Sequence, residues 1–330
     1  MTEAPLQHGG QPPVGAAEDG SDWLDLSTGI APFAYPFTPP PAQAWRSLPR
    51  QAEEQAALTA AARYFGLTGW EEICSGPGSQ ALLQLLPRLL PTAPAAVLAP
   101  TYNEHAHRWS VAGHKVEEIP AIADLSGPCR YLVVVNPNNP SGAIQGREEL
   151  LRLADEMAAR EGYLIVDEAF CDLRPDVSVA PEAGRPGLLV LRSFGKFFGL
   201  AGLRLGFLLG PAPLISSVRQ HLGPWPVNGP ALDVAAQAYD DRAWIAGHRK
   251  ALAEQAEKLR QLLSEHGHIV GGTDLFVLLQ SDNSPAIRDR LAAGRIHVRD
   301  FAEHETWLRF GLPGDEAAWR RLEDALQCPS

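Results

Sequence analysis

Ser193-Phe194-Gly195-Lys196-Phe197-Phe198-Gly199-Leu200-Ala201-Gly202-Leu203-Arg204-Leu205-Gly206 is the stretch on which the reading of this chain turns. It sets one lysine among glycines and phenylalanines, after Ser193 and ahead of Arg204. A surface lysine in a glycine-rich turn would account for a lone Gly-Lys pair, so its meaning depends on what lies around it. Apolar runs flank it at 188–191 and 207–209, and similar runs stand at 96–98, 131–135 and 163–166. Unbroken runs of this length, as opposed to alternating ones, predict strands buried on both faces of a mostly parallel sheet. Helical composition lies between and before them, at 42–65, 79–90 and 147–160. The pattern predicts a doubly wound α/β layout whose ligands gather at the carboxyl ends of the strands.

The flanks complete the outline. Residues 1–41 form an irregular arm dense in Gly and Pro, 42–240 a large domain, and 241–330 a smaller C-terminal domain opened by a long amphipathic helix over 242–266. At 330 residues the chain is long enough for two cores. Its 45% hydrophobic and 20% charged residues are those of a soluble globular protein. A net charge of -11 argues against nucleic acid as a partner, while local arginines still suit an anionic substrate. Cys74, Cys129, Cys171 and Cys328 are scattered without metal-ligand spacing, so no metal is expected and a reducing cytoplasm fits. There is no signal-peptide pattern and no run of membrane-spanning length, so no membrane partner is expected.

The candidate chemistry follows the strands. Val166-Asp167-Glu168-Ala169-Phe170 ends an apolar run with an acid, which by itself reads equally as a helix N-cap. Asn136-Pro137-Asn138-Asn139-Pro140-Ser141-Gly142 is a turn after another run. Ser75-Gly76-Pro77-Gly78-Ser79-Gln80 opens a helix, and free N–H groups there make an anion site. Tyr102 follows a third run and reads as a core or a site aromatic. Arg309, in Trp307-Leu308-Arg309-Phe310-Gly311, and Arg299 offer guanidinium forks matched to carboxylates; surface pairs with Asp300 or Glu303 are the alternative.

In this order these segments resemble fold-type I pyridoxal-phosphate enzymes, the aminotransferase superfamily. The resemblance implies a large domain with a mostly parallel sheet sandwiched by helices, plus a smaller C-terminal α/β domain. It implies pyridoxal 5'-phosphate (PLP) as cofactor, with Lys196 the catalytic lysine that bonds to it. Such a lysine must be neutral to attack an aldehyde, which a desolvated or electropositive setting favours. Asp167 would keep the pyridine nitrogen protonated, making the ring a better electron sink. Asn139 would donate to the ring's phenolic oxygen, and Tyr102 would stack on the ring. Gly78, Ser79, Gln80, Ser193 and Arg204 would cradle the phosphate.

A narrower resemblance, to the threonine-phosphate decarboxylases of cobalamin biosynthesis, spans nearly the whole chain. It rests on His8-Gly9-Gly10, Leu24-Asp25-Leu26-Ser27-Thr28-Gly29-Ile30, Gly223-Pro224-Trp225-Pro226-Val227-Asn228 and the ending 308–326. Phe170, where many aminotransferases carry a tyrosine that bonds the ring oxygen, fits this family. Leu48 stands where many relatives have a tyrosine reaching the partner subunit's cofactor, and Ala31 where they have asparagine. The implied reaction is decarboxylation of L-threonine O-3-phosphate to (R)-1-amino-2-propanol phosphate, with His8, Arg299 and Arg309 binding the substrate's two anions. A cytoplasmic homodimer with active sites at the subunit interface is implied as well. An aminotransferase acting on histidinol phosphate is the alternative, and a non-catalytic PLP-binding protein a third reading. The joint presence of Lys196, Asp167, Asn139 and Arg309 argues against the third.

Overall fold

The computed structural model describes residues 8–13 and 22–327. By their contacts they fall into two compact units. The larger holds 35–139 and 143–245; the smaller holds the described residues up to Ala34, Pro140–Gly142 and the chain from Ala246 onward. The first strand, β1 (Leu24–Asp25), belongs to the smaller unit.

The larger unit is built on seven strands: β2 (Ile73–Gly76), β3 (Ala95–Leu98), β4 (Val116–Ile119), β5 (Tyr131–Val135), β6 (Tyr163–Asp167), β7 (Leu188–Ser193) and β8 (Gly206–Leu209). They lie in the order β2-β8-β7-β6-β5-β3-β4. β7, β6, β5, β3 and β4 run parallel, whereas β8 is antiparallel to both its neighbours. Every residue of β5 is buried, as an unbroken Tyr-Leu-Val-Val-Val run requires.

Helices in this unit are α1 (Ala42–Arg46), α2 (Gln51–Phe65), α3 (Ser79–Leu89), α4 (Glu104–Val111), α5 (Arg147–Ala159), α6 (Phe194–Phe197), α7 (Ala212–Leu222) and α8 (Gly229–Asp240). The helical composition at 42–65 thus yields two helices. Pro49 has no N–H to donate and drives Leu48 out of the helical region, so the chain restarts at Gln51, with Glu53 accepting from the backbone N–H of Arg50 at 2.9 Å. Leu82, Leu83 and Leu86 of α3 and Trp109 of α4 pack with Val133, Ile165, Leu189, Leu191 and Leu208. Each such side chain contributes about 1.5–3 kcal/mol by burial.

The smaller unit takes most of α9 (Arg242–Ser264) together with β9 (His268–Thr273), β10 (Phe276–Gln280), α10 (Ser284–Ala293), β11 (Ile296–His297), β12 (Arg299–Asp300), β13 (Trp307–Gly311) and α11 (Glu316–Gln327). Four strands form an antiparallel sheet in the order β12-β13-β10-β9. β1 pairs in parallel with β11, so part of what reads as an irregular arm is strand. Pro140–Gly142 belongs here because its backbone lies on β9: a Cβ at Gly142 would stand 1.8 Å from the Gly272 carbonyl oxygen.

Candidate active site

In the larger unit the candidate residues gather where the parallel strands end. Asp167 closes β6 and is buried. Its Oδ1 accepts the Ala169 N–H at 3.1 Å, and its Oδ2 lies 2.9 Å from Nε2 of His105 on α4. His105 is 1% exposed, and its Nδ1 has no hydrogen-bond partner among the described residues. This histidine is not legible in the sequence, where it is one polar residue in the first turn of a helix. The neutral ring carries a proton on one nitrogen only, and an acceptor at Asp167 favours Nε2–H.

Lys196 sits in the single turn of α6, directly after β7 and Ser193, and its Nζ lies 5.1 Å from the centre of the Phe170 ring. Arg204 adopts a left-handed backbone (φ 54°), which aims its guanidinium at the start of α3. There Gly78, at φ +84°, has room only because it lacks a side chain: a Cβ would meet Arg204 Nη2 at 2.7 Å. A Cβ on Gly206 would likewise lie 2.1 Å from the backbone nitrogen of Ser79. The helix start, with its outward N–H groups, and a guanidinium are thereby packed against each other, an arrangement suited to an anion.

The Gln80 side chain takes a role the sequence does not suggest. Its Oε1 accepts from the Tyr102 hydroxyl at 3.1 Å and its Nε2 donates to Glu104 at 2.7 Å. Tyr102 packs against the core, and its ring meets His105 edge-on at 6.0 Å between centroids. In the Asn-Pro turn, Asn136 exchanges hydrogen bonds with the Gln145 backbone, and Asn138 takes the Thr101 hydroxyl and donates to Pro100 O. These two staple the turn that carries Asn139.

Behind this array lies a buried charge cluster. Arg192 of β7 donates to Glu168 at 2.8 Å and to Asp172, and lies 4.5 Å over the Phe65 ring. Glu168 also accepts from Ser178 Oγ at 2.6 Å and from the Val179 N–H at 2.7 Å. Glu168 and Arg192 are the immediate neighbours of Asp167 and Ser193.

In the smaller unit Arg299 and Arg309 stand directly opposite each other on β12 and β13. Arg309 is buried, donates to Ser27 O at 2.6 Å and lies 5.1 Å from the Phe276 ring centre. Burial, and then the charge of Arg299, pull its guanidinium down to about 10. Like charges held side by side destabilise a strand pair, and a bound anion relieves the repulsion. Asp300, considered above as a partner of these arginines, pairs with Arg288 at 3.6 Å. His8 is exposed; beside it, Gly9 packs closely on Ser27, and the Gly10 N–H donates to Ser27 Oγ at 2.7 Å. Ser27 Oγ in turn donates to Asp25 at 2.6 Å, so the arm is joined to the residue that receives Arg309.

Residues 42–326 match the model of the class I and II aminotransferases, and the chain belongs to that family. A threonine-phosphate decarboxylase of Pseudomonas aeruginosa is 45% identical, the match covering 97% of each chain. A second threonine-phosphate decarboxylase, from a Sinorhizobium species, is 42% identical over 98% of each. Among solved structures, a histidinol-phosphate aminotransferase of Sinorhizobium meliloti in complex with pyridoxal-5'-phosphate superposes with a TM-score of 0.75, covering 96% of this chain and 94% of that one, at 22% identity.

The residues present fit that cofactor. Its phosphate calls for a cation and N–H groups, met by Arg204 at the start of α3 where Gly78 leaves the space. Its ring nitrogen calls for a buried carboxylate, met by Asp167 with His105 behind it.

Proposed function

We propose that this chain is a PLP-dependent lyase that decarboxylates L-threonine O-3-phosphate to (R)-1-amino-2-propanol phosphate. The observation that carries the reading is the likeness to two threonine-phosphate decarboxylases over nearly the whole chain. Phe170, whose ring faces Lys196 and has no hydroxyl to offer the cofactor, supports it.

Bound PLP supplies an electron sink for the pair released when a bond at the substrate Cα breaks. Asp167, held by His105 and the Ala169 N–H, keeps a proton on the ring nitrogen. Arg309 and Arg299 take the two anions of the substrate, carboxylate and phosphate, in either assignment. By fixing the orientation of the carboxylate they would favour its loss over that of the Cα hydrogen. Lys196 returns a proton to Cα. His8, on the arm joined to Ser27, contributes to anion binding from the same unit.

The enzyme works as a homodimer in the cytoplasm. Trp45, Leu48 and Trp225 of the larger unit, 68%, 61% and 55% exposed, are suited to burial against a second copy. Cys74, Cys129 and Cys171 are unpaired thiols, in keeping with a reducing compartment. Among the described residues no helix is long and apolar enough to cross a membrane.

The test is product analysis of PLP-loaded protein given L-threonine O-3-phosphate and no keto acid. CO2 and aminopropanol phosphate are expected. Amino transfer from histidinol phosphate to 2-oxoglutarate without CO2 release would overturn the reading.

Two further outcomes follow from the geometry. His105→Ala strips Asp167 of its side-chain partner. Loss of a charge-assisted hydrogen bond costs about 1.5–3 kcal/mol, so PLP affinity falls roughly 10- to 100-fold in absorbance titrations. Arg309 is cationic below about pH 10 and loses its proton as pH rises through that value. The contribution of Arg309 to the substrate KM is therefore lost as pH rises through about 10, earlier than with an ordinary arginine. A KM unchanged to pH 11 would place the anion elsewhere.

A further inference from the structure

Gln80, Tyr102, Glu104 and Arg108 form a chain of hydrogen bonds whose direction is set at one end. Glu104, in the first turn of α4, is 3% exposed. Its Oε2 accepts from Arg108 Nε at 2.6 Å and from Gln80 Nε2 at 2.7 Å. A carboxylate paired with a guanidinium can only accept, so Gln80 has to present its amide nitrogen. That turns the amide oxygen to Tyr102, whose hydroxyl must then donate, as it does at 3.1 Å. Each bond dictates the sense of the next. An i,i+4 Glu–Arg pair on a helix surface contributes about 0.3–0.5 kcal/mol and needs no burial. This carboxylate is buried, and it faces the side chain that holds the aromatic residue of the site.

We propose that Glu104, anchored by Arg108, is a positioning residue that acts through Gln80 to set the plane of the Tyr102 ring against the pyridine ring of PLP. The inference rests on the PLP reading given above. It makes Tyr102 an oriented surface, with its phenolic proton committed to Gln80 and not available for transfer. Burial, followed by the negative charges of Glu104 and Asp167, raises that phenol far above its ordinary range and keeps the proton in place.

The test uses the visible circular dichroism of PLP bound to the full chain, which reports the asymmetry imposed on the ring, together with PLP affinity and melting of the apo protein. Glu104→Gln gives position 104 a donor as well as an acceptor and removes the dictated direction. It is expected to lose most of the induced dichroism and to weaken PLP binding roughly tenfold. Tyr102→Phe should reproduce the loss, and E104Q/Y102F should add nothing to it, because both act on one ring. Wild-type dichroism and affinity in E104Q, whatever its melting temperature, would overturn the proposal. So would additive losses in the double variant. If E104Q does not fold, Gln80→Leu, which leaves the Glu104–Arg108 pair intact, carries the same expectations. An absence of any PLP band in the wild type would instead remove the cofactor reading, and the proposal with it.

Discussion

Lys196→Ala eliminates the covalent attachment of PLP and, with it, decarboxylation. Wild-type protein treated with PLP and borohydride is expected to gain a stable adduct on the peptide carrying Lys196, and the variant none. Activity falls by at least roughly 10²–10⁴-fold, the range that a positioned general acid–base contributes by itself. The apo protein is expected to lose little stability, because α6 is a single turn and the Phe194, Phe197 and Phe198 rings around it are buried. Phe194 and Phe198 stack at 4.6 Å between centroids, and Phe198 also stacks with Trp244 at 5.8 Å. An adduct of wild-type yield in the variant would place the reactive amine on another lysine.

Arg192→Met has the opposite signature, a large loss of stability from a residue that touches neither substrate nor cofactor in the proposed scheme. Its removal takes from the buried Glu168 and Asp172 the guanidinium that both accept from. Breaking a buried pair from one side costs about 3–5 kcal/mol, since the remaining charge stays desolvated. Urea unfolding of the apo protein should show an unfolding free energy lowered by about that much. Arg192→Lys restores only part of it, because an ammonium cannot reproduce the fork that reaches two carboxylates at once. Neutralising all three positions together (R192M/E168Q/D172N) should recover more than Arg192→Lys does. A shift below about 1 kcal/mol in R192M would mean that water reaches the cluster and screens it.

These two residues stand four positions apart, and they differ in how far they can be read from sequence. Lys196 is conspicuous because its setting of glycine, phenylalanine and a following arginine is local. Arg192 in the sequence is only a charged residue at the end of an apolar run. Its meaning comes from Glu168 and Asp172, which are brought to it by the parallel pairing of β6 with β7, Asp167 opposite Leu191. His105 is hidden for the same reason: its partner Asp167 lies 62 residues away.

Strands and turns are determined by what stands within a few residues. The unbroken runs at β5, β6 and β7 match buried strands, and the Gly-rich segment around Gly78 matches a turn that opens a helix. The sequence by itself therefore determined the α/β layout, while Lys196, Asp167 and Arg204 became candidates for the cofactor through the resemblance their segments carry. Tertiary structure alone decided which polar groups meet. It set Arg299 opposite Arg309, joined the arm to Ser27, and gave Gln80 to Tyr102 and Glu104. A hydrogen bond between distant segments depends on strand register and helix rotation, and a shift of one residue turns a side chain to the opposite face.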